Sequence, residues 1–255
     1  MVFAVALLFF HPIDAADIFD NIMHGRMIYL YGANPFLQTA SRYVQDPFYR
    51  YMAWKYAPSA YGPLWEMMAS GASALAGDGV TANVLAFKLL PAAFLGGSLA
   101  WVAIILRQKA PQRALAGVLL LGWNPVVLYE TLGNGHNDMV MVFWILAAAC
   151  ALVYERYTLA ILALVAGALV KFIPILFIPL VVWLALRDQP DRRARLRFLI
   201  LSAVAGSMLV VLAYAPFWHG LATLSVTRRL RLFSGSLPAF VYQALREHVG
   251  MKQAA

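Results

Sequence analysis

Five apolar stretches, at about 83–106, 114–131, 139–154, 158–186 and 198–215, are joined by short polar links, and this spacing restricts the chain more than any other feature. About twenty apolar residues carry a helix across the hydrocarbon core of a bilayer. Of the 255 residues, 62% are hydrophobic and only 13% charged, and the mean hydropathy is +0.70. A soluble core of this length would leave much of that apolar surface in water. The expected fold class is therefore all-α, a polytopic helical membrane protein.

The opening run MVFAVALLFF is too short to span, and it lacks the basic start and cleavage site of a signal peptide. It reads as the end of a first helix whose beginning is missing, so the chain reads as a piece truncated at both ends. The net charge of +8 loses any nucleic-acid meaning once its cations are placed. They concentrate in RQKAPQR (107–113) and RDQPDRRARLR (187–197), which the positive-inside rule puts in the cytoplasm. GNGHND (133–138) carries no cation and fits the opposite face. The single Cys150 provides neither a disulfide framework nor a thiolate metal site.

Charge parity refines the topology. One helix over 158–186 would separate Arg156 from Arg187, so two shorter segments are expected to meet near Lys171, where Pro174 and Pro179 disfavour an uninterrupted helix. The same parity keeps 61–77 at the outer interface. About seven membrane segments result, within a single domain over 1–255. Residues 11–82 form a large first outer loop with interfacial helices, 83–215 the membrane helices and 216–255 a second outer segment.

Three polar constellations stand out. The first, at 11–36, reads as an interfacial helix opened by Asp14 and closed at Gly32, Asn34 and Pro35. Ile18, Phe19, Ile22, Met23, Met27, Leu30 and Tyr31 recur at helical spacing, with Asp17, Asp20, Asn21 and His24 opposite. This acidic concentration points to acid/base work, although Asp14 alone fits simple capping. In the second, at 123–141, Asn124 and Pro125 inside an apolar run mark an internal contact or cavity. His136, Asn137 and Asp138 exceed what a turn requires. The third is Lys171, which either snorkels to the interface or meets an anion such as a lipid phosphate; Arg228, Arg229 and Arg231 invite the same pair of readings. No metal-ligand spacing is present, and neither metal nor cofactor is expected.

Taken in order, Asp17-Ile18 with Gly25-Arg26, Asn34-Pro35, Tyr61-Gly62-Pro63-Leu64, Asn124-Pro125, Gly135-His136-Asn137-Asp138 and Lys171 with Pro174 resemble the GT-C superfamily of polyprenyl-phosphate-sugar-dependent glycosyltransferases. The bacterial polyprenol-phosphate-mannose-dependent alpha-mannosyltransferases are the nearest group. The resemblance covers about residues 10–186 and, weakly, Ser234 to Phe240. It implies a multi-span protein with its active site on the extracytoplasmic face of the cell membrane. The implied reaction is transfer of a hexose, mannose by the resemblance, from a polyprenyl-phosphate donor to a lipid or glycan acceptor, with inversion. Asp17 matches the catalytic aspartate, with Asp20 as the alternative base. Gly62 stands where the pattern usually has proline.

On chemistry, Lys171, His136 or an outer-loop arginine such as Arg228 suits the leaving phosphate. Asn134, Asn137, Asp138 and His24 suit sugar hydroxyls. Arg26, Asn34 and Tyr61 complete the expected substrate-binding set. Membrane lipids are the remaining partners, and nucleic acid is not one. The rival class is a transporter or lipid flippase, which should show repeat symmetry and broken helices in both halves; a noncatalytic membrane subunit is a further alternative.

Overall fold

The computed structural model describes residues 2–12 and 16–224. Asp14, the arginine cluster from Arg228 and the Ser234–Phe240 stretch lie outside them. The described residues form ten α-helices with short 3-10 and π turns and no β-strand: α1 (Val2–Phe9), α2 (Asp17–Tyr31), α3 (Pro63–Ala76), α4 (Val80–Lys109), α5 (Ala114–Gly122), α6 (Pro125–Leu128), α7 (Asp138–Val153), α8 (Tyr157–Ala168), α9 (Ile178–Asp188) and α10 (Arg192–Tyr214). By length and apolarity, α4 and the continuous helical stretch Arg192–Phe217 are able to cross a bilayer; α5 with the helical turn after it becomes a third span if its bend is accepted. Among the described residues, length and composition thus support two or three of the expected seven segments. At 16 and 12 residues, α7 and α8 are apolar but short.

The bend has a local cause. The stretch 114–131 is interrupted by 49° between Gly122 and Pro125. The Asn124 side-chain oxygen accepts from the amides of Val126 (3.0 Å) and Val127 (3.3 Å), and Pro125 occupies the first helical position, where its missing N–H costs nothing. Asn124-Pro125 therefore restarts a helix instead of marking an internal contact, and Val126 beside it is 65% exposed.

The break expected near Lys171 is present, between the end of α8 and a 3-10 turn at Ile173–Phe177. Its partner comes from the first outer loop. The Gly62 amide donates to the Val170 carbonyl at 2.9 Å, and the Leu64 amide donates to the Leu169 carbonyl at 3.0 Å. A Cβ on Gly62 would lie 2.1 Å from the Leu169 carbonyl oxygen. Proline at this position would lose the donor and also collide. The glycine that departs from the family pattern thus lets this loop dock by its backbone onto the broken helix.

One core joins α2, α3, the loop between them, α4 and α7, around Ile18, Ile22, Trp65, Phe87 and Val140. A second lies among α7, α8, α9 and α10. Helices α2 and α3 approach closely because Gly25 faces Ala69, whose carbonyl oxygen would be 2.3 Å from any added Cβ. Helix α2 begins at Asp17 behind Ala16, while the expected opening at Asp14 lies outside the described residues; it ends at Gly32 as expected. The pattern of α2 also needs correction. Ile18 through Met27 are all buried, so the polar side is covered along with the apolar side, while Leu30 and Tyr31 are exposed.

Candidate active site

Burying the polar side of α2 obliges its groups to find partners. Asn21 accepts from the Trp65 indole at 2.8 Å. The Arg26 Nε donates to both oxygens of buried Asp46, at 2.9 and 3.1 Å, and Nη1 reaches the Gly77 carbonyl and Asp78. Asp46 also accepts from the Tyr31 hydroxyl and the Phe48 amide. Arg26 therefore ties α2 to the following loop and to the α3–α4 turn. Asn34 is similarly engaged: its side-chain nitrogen donates to the Phe217 carbonyl at 2.7 Å, and its oxygen accepts from the Phe36 amide. Both residues were expected to bind substrate, but each is buried and turned to the scaffold.

A cleft of about 180 Å³ opens at the start of α2, lined by Asp17, Asp20, His24, Trp54, Pro58 and Tyr61. The two aspartates differ in their engagement. The Asp20 oxygens accept from the amides of Trp54 (2.9 Å) and Ala53 (3.3 Å), so this buried carboxylate holds the loop over the helix. Burial raises its pKa against the opposing pull of those amides and of His24. Asp17 is half-buried and receives one long bond, 3.4 Å, from the Trp54 indole. Of the two carboxylates, that of Asp17 is the less engaged.

Below the cleft, His24 Nδ1 lies 3.6 Å from the Glu66 carboxylate, beyond hydrogen-bond reach. Burial pulls the imidazolium pKa down, yet the charge of Glu66, with Asp20 adding to it, leaves it above the ordinary histidine value. The other Glu66 oxygen has no hydrogen-bond partner, and Ser59 donates to the first. Tyr61 connects this group to the second and third constellations. Its hydroxyl pKa is driven well up by burial and then by the nearby charges of Asp17, Asp138 and Glu66. The Lys171 ammonium lies 5.4 Å from the Tyr61 ring centre and 2.7 Å from Asp138. Lys171 thus meets a carboxylate of the protein and remains partly exposed, with exposed Phe172, Ile173, Leu176 and Phe177 directly after it.

The GNGHND loop is close by, since Gly135 packs against Ile18. His136 Nδ1 is 2.6 Å from Glu130, Asn134 donates to the same carboxylate at 3.3 Å, and the buried Asn137 side-chain nitrogen has no hydrogen-bond partner. The structure therefore gathers Asp17, Asp20, His24, Tyr61, Asp138 and Lys171 at one end of the helices, with Asn134, His136 and Asn137 beside them. Arg26 and Asn34 stay out of the cleft, and Arg228 lies outside the described residues.

Sequence reasoning missed Trp54, Ser59, Glu130 and Lys88. The fully buried Lys88 caps α1 by donating to the carbonyls of Leu7 (3.0 Å) and Phe10 (2.7 Å). A lone cation in an apolar run was the available signal for Lys88, as it was for Lys171. Trp54 and Ser59 lie in an aperiodic loop and gave none.

Residues 1–187 match the family model described as Alpha-(1->6)-mannopyranosyltransferase, N-terminal domain. Two relatives carry the same description, Alpha-(1->6)-mannopyranosyltransferase A. The one from Corynebacterium glutamicum is 23% identical over 184 residues, 71% of this chain and 37% of the relative. The one from Mycobacterium tuberculosis is 28% identical over 163 residues, 63% of this chain and 31% of the relative. The chain matches only about a third of the length of these curated relatives. No solved structure gives a significant match.

Proposed function

The chain belongs to the alpha-(1->6)-mannopyranosyltransferase family, and on that premise we propose that it works as a membrane mannosyltransferase in which Asp17 is the base. The donor is a polyprenyl-phosphate mannose, the acceptor a glycan or glycolipid, and the active site faces the non-cytoplasmic side of a multi-pass protein. The observation that carries this reading is the cleft itself. A weakly engaged carboxylate, Asp17, stands at its mouth, and Lys171 followed by an exposed apolar turn lies across Tyr61.

Such a donor already carries a competent leaving group, so catalysis rests on positioning, on a base and on charge stabilisation. Asp17 takes the proton of the acceptor hydroxyl, whose oxygen then attacks the anomeric carbon as the bond to the lipid phosphate breaks. One direct displacement inverts that carbon, converting a β-linked donor into an α-mannoside. The Lys171 ammonium, shared with Asp138, stabilises the departing phosphate, while the prenyl chain lies against Phe172 to Phe177. Asn134, His136 and Asn137 are placed to orient sugar hydroxyls.

The test is mannose transfer from radiolabelled polyprenyl-phosphate mannose by the full-length protein and by Asp17→Asn. Loss of a general base lowers the rate by about 10² to 10⁴, and donor binding is expected to persist. Undiminished transfer in Asp17→Asn would move the base elsewhere, Asp20 first. Lipid translocation without transfer would replace the enzyme reading with a transporter.

A further inference from the structure

A larger cavity lies far from the cleft. Helix α7 starts at Asp138 beside Lys171 and is sixteen residues long, roughly 24 Å along its axis. At its other end the α7–α8 and α9–α10 links meet around a cavity of about 690 Å³, lined by Arg156, Arg193, Arg197, Thr158 and Phe198, with the acids Glu155 and Asp191. Asp191 caps α10 by accepting from the Ala194 amide at 2.7 Å. Nearby Asp188 is occupied by the Tyr157 hydroxyl and Arg187. Among the described residues, Arg156, Arg193 and Arg197 make no ion pair.

An apolar groove adjoins this basic cavity. Phe198 also lines this groove, about 560 Å³, which runs between α8, α9 and α10 along Ile161, Val165, Val182, Gly206 and Val210. Ser202 and Gly206, one and two turns past Phe198, leave its α10 wall low. From Phe198 to Val211 the groove follows about 20 Å of helix. A cationic cavity adjoining an apolar groove of this length across Phe198 matches a phosphodiester headgroup joined to an acyl chain.

We propose that this compound groove binds one anionic glycerophospholipid, with its phosphate among Arg156, Arg193 and Arg197 and an acyl chain along Val165 and Gly206. Charge complementarity selects this occupant, because three unpaired guanidiniums favour an anion over a zwitterion, and juxtamembrane arginines attract anionic lipid. The site is separate from the cleft and independent of the transfer reaction.

Native mass spectrometry of the full chain in detergent tests it, with phosphatidylglycerol, phosphatidylcholine and glycerol 3-phosphate as probes. Preferential retention of phosphatidylglycerol is expected, falling by about thirtyfold in the double variant Arg193→Gln, Arg197→Gln, since each arginine near a lipid surface contributes about fivefold. Gly206→Phe fills the groove and should reduce retention as well; thermal unfolding of each variant confirms that it is folded. Equal retention of both phospholipids, or an unchanged affinity in the double variant, overturns the proposal. So does displacement of the lipid by equimolar glycerol 3-phosphate, which would mark a soluble-anion site. Absence of retained lipid in folded protein overturns it too and assigns the groove to another protein segment.

Discussion

Helices α2 and α10 relate composition to burial in opposite ways. Within fifteen residues α2 carries Asp17, Asp20, Asn21, His24 and Arg26, yet it is buried from Ile18 to Met27. Helix α10 is rich in Leu, Val and Ala, and only 22% of its most apolar stretch is buried; Val204, Met208 and Val211 are each more than half exposed. In water the second pattern would be an aggregation surface. Next to hydrocarbon it costs nothing, and there the polar groups are the ones that must be enclosed and paired. The pairing on α2 serves two ends: Arg26 fastens the scaffold, while Asp17 is left comparatively free.

The sharpest way to break this contrast is at its most buried ion pair. Arg26→Met leaves the Asp46 carboxylate enclosed without its cation and is expected to cost about 3 to 5 kcal/mol of stability, read as a lowered unfolding midpoint in detergent. A loss within about 0.5 kcal/mol, the range of ordinary surface substitutions, would mean that water reaches the α2 side and that its burial is nominal.

The next test is on α10. Val204→Asp places a carboxylate on the exposed apolar face and should disfavour insertion by about 2.5 to 3.5 kcal/mol if that face meets lipid, seen as reduced membrane-integrated protein. A near-neutral outcome would place this face in water.

The smallest effect concerns pH. The folded pKa of His24 is raised, chiefly by Glu66 against the pull of burial, so the pair's stabilisation is complete below the ordinary value of 6.5 and is lost as pH rises through the folded value. The unfolding temperature should therefore fall as pH rises above 6.5. His24→Gln should flatten that slope, and an unchanged slope would assign it to another group.

Much of this was legible before folding. Gly32 closes α2, Pro174 follows a helix break near Lys171, and the α3 and α4 segments lie where hydropathy puts them. Asp17 was singled out by its place among carboxylates, and the structure sets it in the cleft. Other expectations failed for physical reasons. A one-dimensional polar stripe on α2 looks the same whether water or protein covers it, and the motif residues Arg26 and Asn34 carry no local mark of the partners the structure gives them, Asp46 and the Phe217 carbonyl. Likewise Asn124-Pro125 looks like a buried polar contact until its side chain is seen capping α6.

The sequence by itself determined an all-helical, membrane-compatible chain, the positions of its breaks and the residue types able to do acid/base work, because hydropathy, proline and charge act over a few neighbouring residues. Only the tertiary structure decided which carboxylate stays available and which holds a loop. It also brought Lys171 to Asp138, 33 residues away, and showed why Gly62 is a glycine: pairings between distant segments depend on close approach of backbones and on burial, which no local pattern encodes.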